Sequence, residues 1–216
     1  MKPSTQSDRA FTLVELMVVL AVAFVLFIWL LPMDARDNTR AKRINCANNL
    51  KSLGVGFRLW VDDHAGKFPV AVSITNGGIM EFATAGNAYR HFAVMSNELG
   101  TLRILLCPAD GQKELATNFP SLRNLNISYF VSLSVWDETQ PQMWLAGDRN
   151  LTNGAAAIQG VLEVPTNSPV GWTEKLHQNA GNLLLADGSV HQMTNRRLRD
   201  SLISQTNSPL RLAMPQ

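Results

Sequence analysis

The sequence predicts an α+β protein in which a long N-terminal helix packs on a mainly antiparallel β-sheet domain. Three observations carry this expectation. Phe11–Leu31 (FTLVELMVVLAVAFVLFIWLL) is an almost unbroken apolar run with one charge, Glu15. Residues 44–61 then place apolar side chains at helical spacing. From residue 128 onward, short strand-like segments alternate with turn residues and end around Asp187-Gly188.

The chain has 216 residues and a formal net charge of +2, so composition gives no nucleic-acid signal. The stretch beyond Leu31 suits one globular domain with a real core. Two cysteines, Cys46 and Cys107, leave two readings open: one disulfide in an oxidising compartment, or two buried thiols.

In chain order, Met1–Ala10 is polar and carries Lys2 and Arg9. As a helix, Phe11–Leu31 would be ~31 Å long at ~1.5 Å per residue, enough for a hydrocarbon core of ~30 Å. A cleaved secretory signal fits poorly, because its apolar stretch is about 7–15 residues and ends at a small-residue site. This run is longer and ends in Leu30-Leu31-Pro32-Met33-Asp34. Glu15 needs its own account. A carboxylate near the centre of a membrane helix costs ~2.5–3.5 kcal/mol, less toward an end, and such residues usually find a partner. Glu15 either reaches water at the interface or meets a positive charge.

After Pro32 the helical pattern resumes through Ile44, Ala47, Leu50, Leu53, Gly54, Phe57 and Val61, with Arg36, Arg40, Lys42, Arg43, Lys51 and Arg58 mostly on other faces. The spacing predicts an amphipathic continuation of one helix over 32–63, ending near Asp62 before Gly66 and Pro69. Residues 64–208 form the globular α+β domain, and 209–216 read as a frayed tail. Within the domain, Tyr89–Leu99 reads as a short helix and Leu102–Leu106 as a short strand. Ser128–Val135, Met143–Gly147 and Ile158–Val164 read as strands, with a loop over Asn150–Gln159. Asp187-Gly188 predicts a hairpin of Asn182–Ala186 with Ser189–Met193, placing Leu183 and Leu185 on one face and Leu184 on the other. Asn195 is the expected cap of a last helix, Arg196–Ser204.

Arg9-Ala10-Phe11-Thr12-Leu13-Val14-Glu15-Leu16-Met17-Val18-Val19 resembles the type IV prepilin N-terminus, shared by pilins and type II secretion pseudopilins. The resemblance implies that a prepilin peptidase removes the leader Met1–Ala10 between Ala10 and Phe11, and that Phe11 is then methylated. It implies that Glu15 pairs with the α-amino group of Phe11 on a neighbouring subunit, and that Pro32 marks a bend in the long helix. The family usually has Gly before the cut, where this chain has Ala10. Asn48–Gly54 after Cys46, Gly66-Lys67-Phe68-Pro69, Cys107-Pro108-Ala109-Asp110, and His177 followed by nine residues and Asp187-Gly188 are similar to segments of large pseudopilin-like proteins of planctomycetes and verrucomicrobia. The resemblance implies a pilin-like fold and a single-pass protein of the bacterial inner membrane with its domain on the extracytoplasmic side. A simple positive-inside count over Arg36, Arg40, Lys42 and Arg43 points the other way, but large domains translocate largely regardless of charge. That placement would allow a Cys46–Cys107 bridge between helix and sheet domain.

His177 and Asp187 raise a metal or hydrolase reading, which Asp110, Asp148 and His191 could join. The structural account is stronger. Gly takes positive φ and Asp tolerates it, so turn geometry explains Asp187-Gly188, and His177 can satisfy carbonyls at the hairpin's entrance. Of the weak metal candidates Asp148, His177 and Asp187, any ion would be Ca²⁺ on oxygen ligands rather than zinc. Otherwise no cofactor is expected. No Gly-x-Ser-x-Gly, P-loop or paired-Cys zinc spacing occurs, so the chain reads as non-enzymatic. Trp136 and Trp144 read as core or sheet-edge packing. The expectation is a prepilin-like, membrane-anchored subunit of a type II secretion or type IV pilus-like assembly. Its partners would be prepilin peptidase, other pilin-like subunits and inner-membrane lipid, with no nucleic acid. The alternative is an ion-dependent binding domain or enzyme on a prepilin-like anchor, centred on His177 and Asp187.

Overall fold

The computed structural model describes residues 11–30, 34–205 and 209–216. The leader with Ala10, and the bend expected at Pro32, lie outside the described residues. The chain divides into two compact units, 1–38 and 39–216.

In the first unit, α1 spans Leu13–Leu30. At ~1.5 Å per residue its 18 residues rise ~27 Å, short of the ~30 Å of a hydrocarbon core. Among the described residues no helix is long and apolar enough to cross a membrane. The expected span, Phe11–Leu31, is longer at both ends: Phe11 and Thr12 are not helical, and Leu31 is outside the described residues. The large apolar side chains from Leu13 to Ile28 are all exposed.

α2, Asp34–Asp63, runs into the second unit and supplies one wall of its core. Cys46, Leu50, Leu53, Phe57, Trp60 and Val61 are buried there, as the 3.6-residue spacing requires. Phe57 meets Phe68 and Phe92 edge-on, with ring centroids 6.1 and 6.2 Å apart. Residues 69–127 form short 3₁₀ turns and two small helices, α3 (Ala88–Val94) and α4 (Ser96–Leu99). The helix expected over Tyr89–Leu99 is therefore broken at Met95. The strand expected at Leu102–Leu106 is a 3₁₀ turn over Leu102–Leu105, started by the Thr101 side chain accepting from the Arg103 N–H. A short apolar run without alternation does not by itself distinguish the two.

The sheet is antiparallel throughout. Its strands are β1 (Tyr129–Ser132), β2 (Trp144–Asp148), β4 (Val161–Val164), β6 (Ala180–Leu185), β7 (Val190–Thr194) and β8 (Leu210–Ala213), in the order β4-β8-β1-β2-β6-β7. Two short strands, β3 (Leu151–Thr152) and β5 (Gly171–Trp172), pair separately. The loop expected over Asn150–Gln159 thus contains β3. Two small helices complete the domain, α5 (Glu174–His177) and α6 (Asn195–Ile203).

The β1, β2 and β6 registers give the sheet two distinct faces. Val131, Ala146 and Leu184 stand across from one another, as do Tyr129 and Asp148. This face meets α2: a Cβ on Gly54 would lie 2.9 Å from Leu184 Cδ1, and the Tyr129 hydroxyl donates to the Cys46 carbonyl at 3.4 Å. The opposite face carries Phe130, Gly147 and Leu183. There Gly181 lies against Trp172, whose ring atoms would be 2.4–2.6 Å from any added Cβ. Leu183 and Leu184 therefore face opposite ways, and both are buried because the sheet is covered on both sides.

Two terminal expectations are corrected. Residues 209–216 are not a frayed tail, because β8 lies between β1 and β4 with Leu210, Leu212 and Ala213 fully buried. Asn195 is not the cap of α6: its Oδ1 accepts from the Trp172 N–H at 2.6 Å, and Thr194 occupies the cap position. Trp144 is buried, but Trp136 is 65% exposed and lines a surface hollow with Asp137 and Arg211.

Candidate functional site

Two regions bring residues singled out in the sequence into contact with one another or with their neighbours. The first is the start of α1. Thr12 precedes the first helical residue, and its backbone N–H and hydroxyl both donate to Glu15 Oε2, at 2.9 and 2.7 Å. The Glu15 N–H donates back to the Thr12 hydroxyl at 3.3 Å. This is a reciprocal capping box, satisfying donors that the first turn of a helix leaves without carbonyl partners. Glu15 therefore has a partner inside its own chain, a third possibility beside the water or foreign charge expected from the sequence. The Thr-x-x-Glu spacing is the sequence signal for it.

The second region is a buried polar cluster in the second unit, assembled from separate segments. Cys46 of α2 and Cys107 are joined by a disulfide, with Cα atoms 4.9 Å apart. His177 ends α5, and the chain leaves it through Gln178 and Asn179, both at positive φ (53° and 61°), before entering β6. That reversal directs the imidazole inward. His177 Nε2 lies 3.4 Å from Cys107 Sγ and 3.4 Å from Asp148 Oδ2. Both side chains of the His177–Asp148 pair are fully buried.

Asp148 ends β2, one strand over from β6, and the pairing brings Asn182 beside it. The Asn182 backbone N–H and Nδ2 donate to Asp148 Oδ2 at 2.7 and 2.9 Å. The Arg43 guanidinium of α2 donates to the carbonyls of Gly181 and Met193. Burial raises the Asp148 carboxyl well above the usual carboxylate range, with the Asn182 hydrogen bonds and the Arg43 charge opposing the rise. Burial lowers the His177 imidazole below its ordinary value, and the nearby Arg43 charge adds to this. The contact is thus a neutral imidazole against a buried carboxyl, not a surface-type ion pair.

The residues after Asp148 extend the network. Arg149 grips Asp110 through two parallel bonds, Nε to Oδ2 at 2.6 Å and a terminal nitrogen to Oδ1 at 2.8 Å. Asn150 Nδ2 donates to the carbonyls of Thr173 and Ala180, bracing the entry to β6. The Cys-Pro-x-Asp segment is therefore anchored twice: Cys107 to α2 by the disulfide and Asp110 to Arg149 by charge. Burial would raise the Asp110 carboxyl, but the hydrogen bonds and charge of Arg149, together with bonds from Ser128 and the Gln112 N–H, outweigh that and hold it below the usual range.

The structure separates His177 from Asp187. The strand Ala180–Leu185 runs between them, and six residues of strand span ~17 Å. A single ion cannot bridge the two, so a site centred on that pair is corrected. Asp187 instead caps its own turn: Oδ1 accepts from the Ser189 N–H at 2.8 Å, and Gly188 sits at φ 84°. His191 lies exposed on the edge strand β7 beside Ser189. His177 does not satisfy hairpin carbonyls; it points at Asp148 and the disulfide.

Residues 5–31 match the prokaryotic N-terminal methylation motif. That stretch supports a prepilin-like protein, and the α+β architecture of the remainder is consistent with a pilin-like fold. No curated protein and no solved structure matches the chain.

Proposed function

We propose that this chain is a prepilin-like subunit of a type II secretion or type IV pilus-like assembly, and that its work is assembly rather than catalysis. The match of residues 5–31 to the methylation motif carries this reading. A prepilin peptidase cuts between Ala10 and Phe11, and the new Phe11 terminus is methylated. The run Phe11–Leu31 then anchors the subunit in the inner membrane, with its domain on the extracytoplasmic side. The exposed apolar surface of α1 supports this, since large apolar areas left open mark a surface for lipid or other protein. The Cys46–Cys107 bridge supports the extracytoplasmic placement, because disulfides persist in oxidising compartments. In the assembled state Glu15 exchanges its contact with Thr12 for the amino group of a neighbouring Phe11.

Mass spectrometry of the membrane-extracted protein, made alongside an active prepilin peptidase, is expected to find a chain beginning at methylated Phe11. A chain still beginning at Met1 overturns the reading.

The capping role and the assembly role of Glu15 can be separated. Glutamine also serves at the third position of a capping box, so Glu15→Gln keeps the cap and removes the charge. Glu15→Gln is expected to insert into the membrane as well as the unaltered protein, yet to lose co-purification with pilin-like subunits. Normal co-assembly of Glu15→Gln would show that the carboxylate serves only the helix start.

A further inference from the structure

We propose that Cys46, Cys107, His177 and Asp148 form a buried two-state site, a disulfide when oxidised and a Zn²⁺ site when a dithiol or phosphine reductant has opened the bridge. The ligand atoms of Cys46, Cys107 and His177 all lie within 4.8 Å of one another, and all three residues are buried. His177 Nε2 stands 3.4 Å from Cys107 Sγ and 3.4 Å from Asp148 Oδ2. In a tetrahedral zinc site with bonds of ~2.0–2.3 Å, neighbouring ligand atoms are about 3.3–3.8 Å apart. Of the six edges of such a site, the one from His177 to Cys107 is therefore already present with the bridge closed, and His177 is at the same distance from the Asp148 carboxyl. What must still change is separation of the two sulfurs, whose Cα atoms are 4.9 Å apart, and approach of the Asp148 carboxyl to them.

Two buried atoms of this cluster lack hydrogen-bond partners: Asp148 Oδ1 and His177 Nδ1. Buried polar atoms are rarely left so, and a carboxylate with one free oxygen beside a sulfur–imidazole cluster is a ready fourth ligand. The supports outside the ligands are in place as well. Asn182 orients Asp148 through two hydrogen bonds, and the Arg43 charge acts on it. Two thiolates and a neutral imidazole select zinc over Ca²⁺. A surface hollow bordered by Asn45, Asn49, Pro108 and Asp110 also touches Cys107.

The chemistry balances. A dithiol gives two electrons and two protons to the Cys46–Cys107 bond, which breaks into two thiols while the reductant closes its own disulfide. A phosphine instead takes up a water oxygen and becomes the phosphine oxide. Zn²⁺ then displaces the two thiol protons, which pass to solvent.

The test uses the full chain in detergent, reduced anaerobically with a phosphine and titrated with Co²⁺. A single Co²⁺ per chain is expected, with the intense visible bands of a tetrahedral ion and a thiolate charge-transfer band. Zn²⁺ should displace it, and Ca²⁺ should not. The oxidised chain should show neither band, and His177→Ala should lose the tetrahedral spectrum while Asp187→Ala keeps it. A folded, reduced chain without thiolate–cobalt bands overturns the proposal, as do bands that survive His177→Ala. Should reduction unfold the chain, refolding is repeated with Zn²⁺ present. Recovery of the native circular dichroism by the unaltered chain but not by His177→Ala supports the site, and no recovery overturns it.

Discussion

Removal of residues 209–216 is expected to abolish folding of the β-sheet domain. β8 is an interior strand, so its loss leaves the facing edges of β1 and β4 without their ladder. The pairings of Val131 and Ser132 with Ala213 and Leu212, and of Val161–Val164 with Ala213–Leu210, would all go. Leu210, Leu212 and Ala213 would also leave the core, where each is fully buried. Burial of a leucine contributes ~1.5–3 kcal/mol, and each buried backbone donor left unpaired costs ~1–3 kcal/mol more. Together these approach the whole stability of a small domain, ~5–15 kcal/mol. Circular dichroism and limited proteolysis of the truncated chain would measure this. A cooperative melt near that of the full chain would refute it. Leu212→Asp is the milder companion, expected to destabilise strongly without shortening the chain.

This strand marks the limit of what the sequence carries. The segment Asp187-Gly188 is legible because its turn chemistry is local: Gly188 takes positive φ, and the Asp187 side chain holds the Ser189 N–H. α2 is legible because its apolar side chains repeat at the helical period. β8 has neither signal. It is a four-residue segment at a chain end, and its partners in β1 and β4 are distant in sequence. Only the long-range ladder makes it a strand. The buried cluster follows the same rule. Cys46, Cys107, Asp148 and His177 each stand out singly, but nothing local in the sequence brings them together. Their meeting depends on the β2–β6 register, on α2 crossing that face, and on the positive-φ pair Gln178-Asn179. Asp187 and His177 are close in sequence, which invites linking them, but the strand between them sets them apart. Glu15 shows the opposite case. Its capping partner, Thr12, is three residues away, yet the apolar surroundings draw attention to a charge on another chain.

The second large effect is expected at the Asp110–Arg149 pair. The Asp110 side chain is 1% exposed and that of Arg149 is 15% exposed. Arg149→Ala strands a buried carboxylate, and loss of one partner of a buried pair typically costs ~3–5 kcal/mol. Asp110→Asn should cost less, because Arg149 is partly open and keeps a bond to Gln112 Oε1 at 2.7 Å. Replacing both residues with apolar side chains of similar size should be milder than Arg149→Ala, since neither charge is then stranded. Denaturant melts of the full chain in detergent, run as a double-mutant cycle, would isolate the coupling. The pH dependence supplies an independent check. Asp110 is held below its ordinary value of 3.8 in the fold, so the unfolded chain takes up the proton first. The pair's contribution is present above that value and is lost as pH falls through it toward the lower folded pKa. In Arg149→Ala the part of the depression due to its hydrogen bonds and charge is lost, leaving burial opposed only by the remaining bonds, such as that from the Gln112 N–H. The variant should therefore lose its deficit relative to the unaltered chain as the medium is acidified below about pH 4. A deficit that stays constant from neutral pH into acid would mean that Arg149 stabilises the domain by packing and not by its charge on Asp110.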